Sequence, residues 1–106
     1  MKIALLAQAG STHTRRWSLA LAARGHEVRV FSNNQIGVAP PGITTVFLPG
    51  SSRTAYFRNI FRVRRLLKSF APDIVHAHFA TGYGLWGSCQ TAAPLVLSIW
   101  GTDVED

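Results

Sequence analysis

Five apolar residues run without a break from Ile3 to Ala7, directly after Met1-Lys2. The run is too short for a helix and shows no polar alternation, so it reads as a strand buried on both faces. Such a strand requires helices above and below its sheet, which points to an α/β class. The same start imitates a secretory signal, with Ala7 and Ala9 in an Ala-x-Ala arrangement. The apolar run is shorter than the roughly 7–15 residues of a signal core, and we read it as the first strand.

The rest of the chain repeats that alternation. Trp17, Leu19, Ala20, Leu21, Ala22 and Ala23 follow at helical spacing, and Gly25 stands where a C-cap is needed. Residues 27–31 and 44–48 read as the second and third strands, separated by the turn signals Asn33-Asn34 and Pro40-Pro41-Gly42. A helix is expected over about 54–70, a fourth strand over 73–78 after Pro72, a short helix near 85–91 and a last strand over 95–100. Short buried strands alternating with helices imply right-handed βαβ crossovers. The expected fold is a Rossmann-like, doubly wound parallel sheet of strand order 3-2-1-4-5.

A chain of 106 residues with 47% hydrophobic content suits one domain with one real core. Lys and Arg outnumber Asp and Glu by 11 to 5, for a net charge of +6. Polyanions, anionic lipid and phosphorylated small molecules are therefore the candidate partners. Cys89 is the one cysteine, which removes any disulfide framework or thiolate metal cluster within the chain and suggests a reducing, cytoplasmic setting. No apolar stretch approaches the about 18 residues of a transmembrane helix.

In an open parallel sheet, ligands bind beyond the carboxyl ends of the strands where the strand order reverses. Here that crevice is expected between the first and fourth strands, lined by Gln8-Ala-Gly-Ser-Thr-His13 and by His78-Phe-Ala-Thr-Gly-Tyr-Gly84. His76 and His78 are two apart in a strand and share a face, with His78 nearer the exit. A metal site would need a third ligand, for which His13 and Asp103 are the candidates, and a two-histidine spacing is weak support for it. His76 reads as a packing histidine bonded to a backbone carbonyl. His78, beside glycines that let a ligand approach the backbone, reads as a donor to sugar or phosphate.

The first loop holds only Gly10, and the second strand ends Phe31-Ser32-Asn33-Asn34 without an acid, so a dinucleotide fingerprint is missing. The helix start, with Ser11, Thr12, His13 and Thr14, reads equally as an ordinary cap or as an anion site. Ser88 and Cys89 lack the Gly-x-Ser-x-Gly elbow of hydrolases, and there is no lysine-bearing phosphate loop. Over 56–70, Tyr56, Ile60, Val63, Leu67 and Phe70 form an apolar stripe with Phe57, Phe61 and Leu66 beside it. Arg58, Arg62, Arg65 and Lys68 occupy another face, which reads either as a solvated surface or as one facing an anionic membrane. No aromatic is expected among these cations, so nucleic acid is not expected as a partner.

Several segments together resemble the N-terminal domain of a GT-B glycosyltransferase of the retaining family-four type. They are the start Met1-Lys-Ile-Ala-Leu-Leu, His13-Thr-Arg-Arg-Trp17 with Leu21, Arg24-Gly-His-Glu-Val28, Pro72-Asp-Ile-Val-His-Ala-His78 and Trp100-Gly-Thr-Asp103. The resemblance implies half of an enzyme of two Rossmann-like domains, a hexosyltransferase that moves a sugar from a nucleotide-sugar to a glycan or lipid-linked acceptor, as in polysaccharide biosynthesis. It implies no cofactor and no metal, the nucleotide-sugar being a co-substrate. Ala9, Gly10 and Ser11 would face the donor phosphates, while His13, His78, Thr102 and Asp103 would lie on the acceptor and sugar side. Two departures stand out: many relatives carry two glycines in the first loop, and Trp100 occupies a place where many have a sugar-contacting histidine.

On this reading the 106 residues are a piece of a longer protein and inactive alone, because the C-terminal domain binds the nucleotide. The chain is expected in the cytoplasm, with peripheral contact at the inner membrane face. The alternatives are a non-catalytic nucleotide- or sugar-phosphate-binding module and a basic membrane-surface domain.

Overall fold

In the computed structural model the described residues are 1–33, 39–49, 57–78, 83, 86–87, 90 and 92–98. Within them lie β1 (Lys2–Leu6), α1 (Thr12–Ala23), β2 (Glu27–Asn33), β3 (Thr44–Leu48), α2 (Ile60–Phe70), β4 (Ile74–His78) and β5 (Leu95–Ser98). The strands form one five-stranded sheet in the order β3-β2-β1-β4-β5. Every pairing is parallel. β1 lies at the centre because its residues are buried whichever way they point: Ala4, Leu5 and Leu6 are all fully enclosed.

The alternation of side chains along the strands divides the interior into two layers. On one face Ala4, Leu6, Phe31, Leu48, Val75 and Ala77 meet Val63, Leu67 and Phe70 of α2. On the other, Leu5, Val28 and Val30 meet Trp17, Leu21 and Ala22 of α1. His76 and His78 follow the parity of Ile74 and so lie on the α1 side, where His76 is paired in register with Leu5. Two imidazoles thus replace aliphatic residues at the centre of a buried sheet face.

The ends of the helices follow from local chemistry. α1 closes in a Schellman arrangement: the Gly25 amide donates to Ala22 O, the His26 amide donates to Leu21 O, and Gly25 takes φ 91°. α2 ends without a glycine. Ala71 takes the left-handed conformation at φ 55° and donates to Leu67 O. A lysine completes that end, since Lys2 Nζ donates to Phe70 O at 3.1 Å while its own backbone amide donates to Asp73 Oδ2 at 2.7 Å. Ahead of β5, Gln90 anchors the turn: Nε2 donates to Ala93 O at 2.7 Å, and Oε1 accepts from the Ala92 and Ala93 amides at 2.7 and 3.1 Å.

The expected strands agree with these bounds to within a residue or two where they are described. Residues 57 and 58 are helical and precede α2, while 50–56 lie outside the described residues. Of the short helix expected near 85–91, residues 86 and 87 are described and helical. One assignment of α2 is corrected. The core takes Val63, Leu67 and Phe70 of the expected stripe, but Phe57 and Phe61, expected beside it, are 64% and 76% exposed. Helical geometry explains the error, because positions 61 and 57 sit across the helix from 63, 67 and 70, and hydrophobicity alone does not determine which arc packs.

Candidate functional site

Because β1 pairs with β2 on one side and β4 on the other, the strand order reverses at the β1–β4 boundary. The carboxyl ends of these two strands frame the crevice expected from the sequence. Its first wall is the connection from Leu6 to α1. The Ala7 amide donates to Phe31 O, the Ser11 amide to Gln8 O and the Ala9 amide to Ser32 Oγ, all at 3.1 Å. Ala9 is buried and Gly10 exposed, so Gly10 stands outermost in the loop.

Ser11 is the N-cap of α1, its hydroxyl accepting from the His13 amide at 3.2 Å. The Ser11 carbonyl accepts the first helical hydrogen bond, from Arg15. The capping role read from the sequence is therefore realised. Ser32 was not picked out as a site residue, although it buttresses the loop from the end of β2. The available signal was its position: a small hydroxyl residue stands one place before the end of the strand next to β1, near where dinucleotide-binding folds carry an acid.

The second wall is the α1 face of β4. The rings of His76 and His78 lie 4.8 Å apart at 76°. Trp17 of α1 meets both edge-on, at 5.1 Å from His76 and 6.2 Å from His78. Edge-to-face contact of this kind sets a ring edge against a π-face and orients the imidazoles. Trp17, read from the sequence as a helix residue and part of the His13–Trp17 segment but not as part of the site, thus packs against both rings.

The burial of the two histidines differs from the expected order. His78 is 1% exposed and His76 7%, so the residue nearer the strand exit is the more enclosed. Enclosure lowers the pKa of both, because burial penalises the charged imidazolium. For His76 the direction is downward through burial. For His78 burial is reinforced by the positive charge that His76 and His13 would carry, and its pKa is pushed down to about 4. That electrostatic link also brings His13, half-buried in the first turn of α1, into the same neighbourhood. At neutral pH His78 is therefore an uncharged ring with one donor and one acceptor nitrogen.

The structure thus brings His13, Trp17, His76 and His78 together beside the loop of Ala9, Gly10 and Ser11. Thr102, Asp103 and Trp100 lie outside the described residues. Among the described residues, no group of three or more His, Cys, Asp or Glu is arranged to hold a metal ion. The basic residues Arg58, Arg62, Arg65 and Lys68 belong to a separate surface on and just before α2, and all are exposed.

Three comparisons with known proteins bear on this arrangement. A solved structure of glycinamide-RNase-transformylase T from Mycobacterium tuberculosis superposes with a TM-score of 0.58 at 21% identity. The match covers 90% of this chain and 26% of that one, so this chain spans about a quarter of that protein's length, and the likeness is one of fold. No curated protein matches the chain significantly in sequence. A family model described as glycosyl transferase 4-like matches residues 2–106, and the chain belongs to that glycosyltransferase family.

Proposed function

We propose that this chain is the N-terminal, acceptor-side domain of a retaining GT-B glycosyltransferase that moves a hexose from a nucleotide-sugar to a glycan or lipid-linked acceptor. The observation that carries the reading is the family match, which spans residues 2–106 and so includes both walls of the crevice. In this reading Gly10 and the flanking Ala9 and Ser11 face the donor phosphates, and a second Rossmann-like domain supplies the nucleotide site.

His13 and His78 are assigned to the acceptor side, together with Thr102 and Asp103. A neutral imidazole suits hydroxyl-rich ligands, since it donates through one nitrogen and accepts through the other without the desolvation cost of a charge. Both His78 nitrogens are buried in this structure, so direct contact requires the wall around them to open, while the half-buried His13 is reachable as it stands. The low pKa of His78 keeps it in that form throughout the physiological range. Trp17 and His76 act through His78 by fixing its ring, which makes them positioning residues. No cofactor is required, the nucleotide-sugar being consumed as a co-substrate.

The division of labour is testable on the 106-residue chain. Calorimetric titration with uridine- and guanosine-diphosphate sugars is expected to show no tight complex, because the nucleotide pocket belongs to the other domain. A dissociation constant below about 10 μM would overturn this assignment in favour of a nucleotide-binding module. When the chain is joined to a donor-binding half, nucleotide release from a nucleotide-sugar should appear and His78→Ala should reduce it. Release by the 106-residue chain alone would refute the division.

A further inference from the structure

The start of α1 carries charge of the sign that helices avoid there. The amino end of a helix is partially positive and favours acidic residues, yet α1 has no acid in its first turn and residues 1–26 contain no Asp or Glu. His13, Arg15 and Arg16 stand in their place, with both arginines exposed. Ser11 satisfies the His13 amide, whereas a helix presents about four amides at this end, so donors remain on offer. Positive potential is thereby concentrated where β1 and β4 end.

A helix start can be capped and solvated and nothing more. Thr14 separates this one from the ordinary case. It is 1% exposed, and its Oγ1 is buried without a hydrogen-bond partner among the described residues. An unbonded buried hydroxyl opposes folding, and a valine of the same shape would avoid the penalty. Helical side chains tilt toward the amino end, so Thr14 reaches over the turn that Ser11 caps. Thr14 and Ser18 are both buried and one turn apart, which puts Thr14 on the sheet-facing side of α1, a turn closer to the strand exits. Trp17, three positions on, packs against His76 and His78. The hydroxyl therefore meets the crevice from beneath the loop of Ala9, Gly10 and Ser11.

We propose that Thr14 marks a phosphoryl-binding subsite for the acceptor: its hydroxyl and the open amides at the start of α1 donate to an oxygen of a phosphate that the acceptor carries, and Arg15 and Arg16 draw that group in. Phosphate fits because it combines several acceptor oxygens with negative charge, against a wall made of donors and cations. A neutral sugar would leave the two arginines unused. The acceptor is the fitting source because Gly10 stands outermost toward the donor, whereas Thr14 lies inside the loop in the neighbourhood of His13 and His78. Since Thr14 is enclosed, binding is coupled to an outward shift of residues 8–11, and that shift breaks no hydrogen bond of the Thr14 hydroxyl. This inference names the acceptor's chemistry and rests on the acceptor-side reading of the domain.

The test is a titration of the 106-residue chain, followed by its amide NMR spectrum, with glucose 1-phosphate, glucose and uridine diphosphate at about 50 mM salt. Glucose 1-phosphate is expected to shift the amides of residues 11–16 with a dissociation constant of about 1–10 mM, the strength of a single-phosphate contact on half of an enzyme. Glucose should shift none of them. Thr14→Val should weaken binding about tenfold and leave the urea midpoint equal or higher, while Thr14→Ser, which keeps the hydroxyl, should retain binding. Arg15→Gln/Arg16→Gln should weaken it by roughly fivefold at low salt and less at high salt. Unaltered binding in Thr14→Val, a lower urea midpoint in that variant, or equal shifts by glucose would each overturn the proposal. Uridine diphosphate shifting the same amides at lower concentration than glucose 1-phosphate, in a Thr14-dependent way, would assign the subsite to the donor and overturn it too. These outcomes leave the acceptor-side reading standing, which fails only if the uridine diphosphate complex is tighter than about 10 μM.

Discussion

Acidification from pH 7 to pH 4 should destabilise this fold by about 3 kcal/mol through His78 alone. The magnitude follows from the gap between the ordinary histidine pKa of 6.5 and the value of about 4 in the folded protein, at ~1.4 kcal/mol for each tenfold difference in proton affinity. The unfolded chain takes up a proton as the pH falls through 6.5, whereas the folded chain resists until about 4, so protons bind the unfolded state preferentially in that window. Stability is therefore level above about pH 7, falls between 6.5 and 4, and levels again below for this group. His76 adds to the loss in the same direction, through burial. With their rings 4.8 Å apart, the two imidazoles resist simultaneous protonation, and they should titrate as a coupled pair. Urea unfolding at half-unit pH intervals measures the effect. In His78→Leu, which replaces the ring by an aliphatic group of similar bulk, the slope of stability against pH across this window should fall by up to ~1.4 kcal/mol per pH unit. The imidazole C–H resonances of the unaltered protein give a second readout that does not depend on the variant folding. A His78 resonance that titrates near 6.5, or an unchanged slope in the variant, would refute the argument.

Three stability measurements check the rest of the framework. Leu67→Ala should cost about 2–5 kcal/mol in urea unfolding because Leu67 is fully enclosed, whereas Phe61→Ala should lie within about 0.5 kcal/mol of the unaltered chain; a reversal would mean that α2 packs through its other face. Ala71→Gly should stabilise by roughly 0.5–1 kcal/mol by relieving a left-handed non-glycine cap at φ 55°, and Gly25→Ala at φ 91° should destabilise by about 1 kcal/mol or more, both read as shifts in thermal midpoint. Gln90→Ala removes three hydrogen bonds from the turn ahead of β5 and should cost about 1–3 kcal/mol, with faster amide exchange at Ala92 and Ala93; unchanged exchange would show that the turn holds itself.

The glycosyltransferase family and the doubly wound order were legible before any coordinates because they rest on signals that are linear in the chain. An unbroken apolar run at Ile3 to Ala7 and further short strands alternating with helical periodicity require a sheet covered on both sides, and right-handed crossovers leave few strand orders. The helix ends were legible for the same reason, with Ser11 and Gly25 marking the two ends of α1 by the hydrogen bonds and the backbone angle that each permits.

What tertiary structure alone decided concerns direction and enclosure. The stripe of Val63, Leu67 and Phe70 was legible in the spacing of α2, but only packing against the sheet decided that Phe57 and Phe61, expected beside it, stay outside the core. Sequence spacing put His76 and His78 on one face of β4 but could not show that Trp17 would cover both, because that contact joins residues about sixty positions apart. Burial is a property of everything that approaches a residue, so His78, placed at the strand's open end by its number, became the more enclosed of the two. The chain's local chemistry determined where strands and helices begin and end; their mutual packing determined which histidine is driven neutral and which phenylalanines face outward.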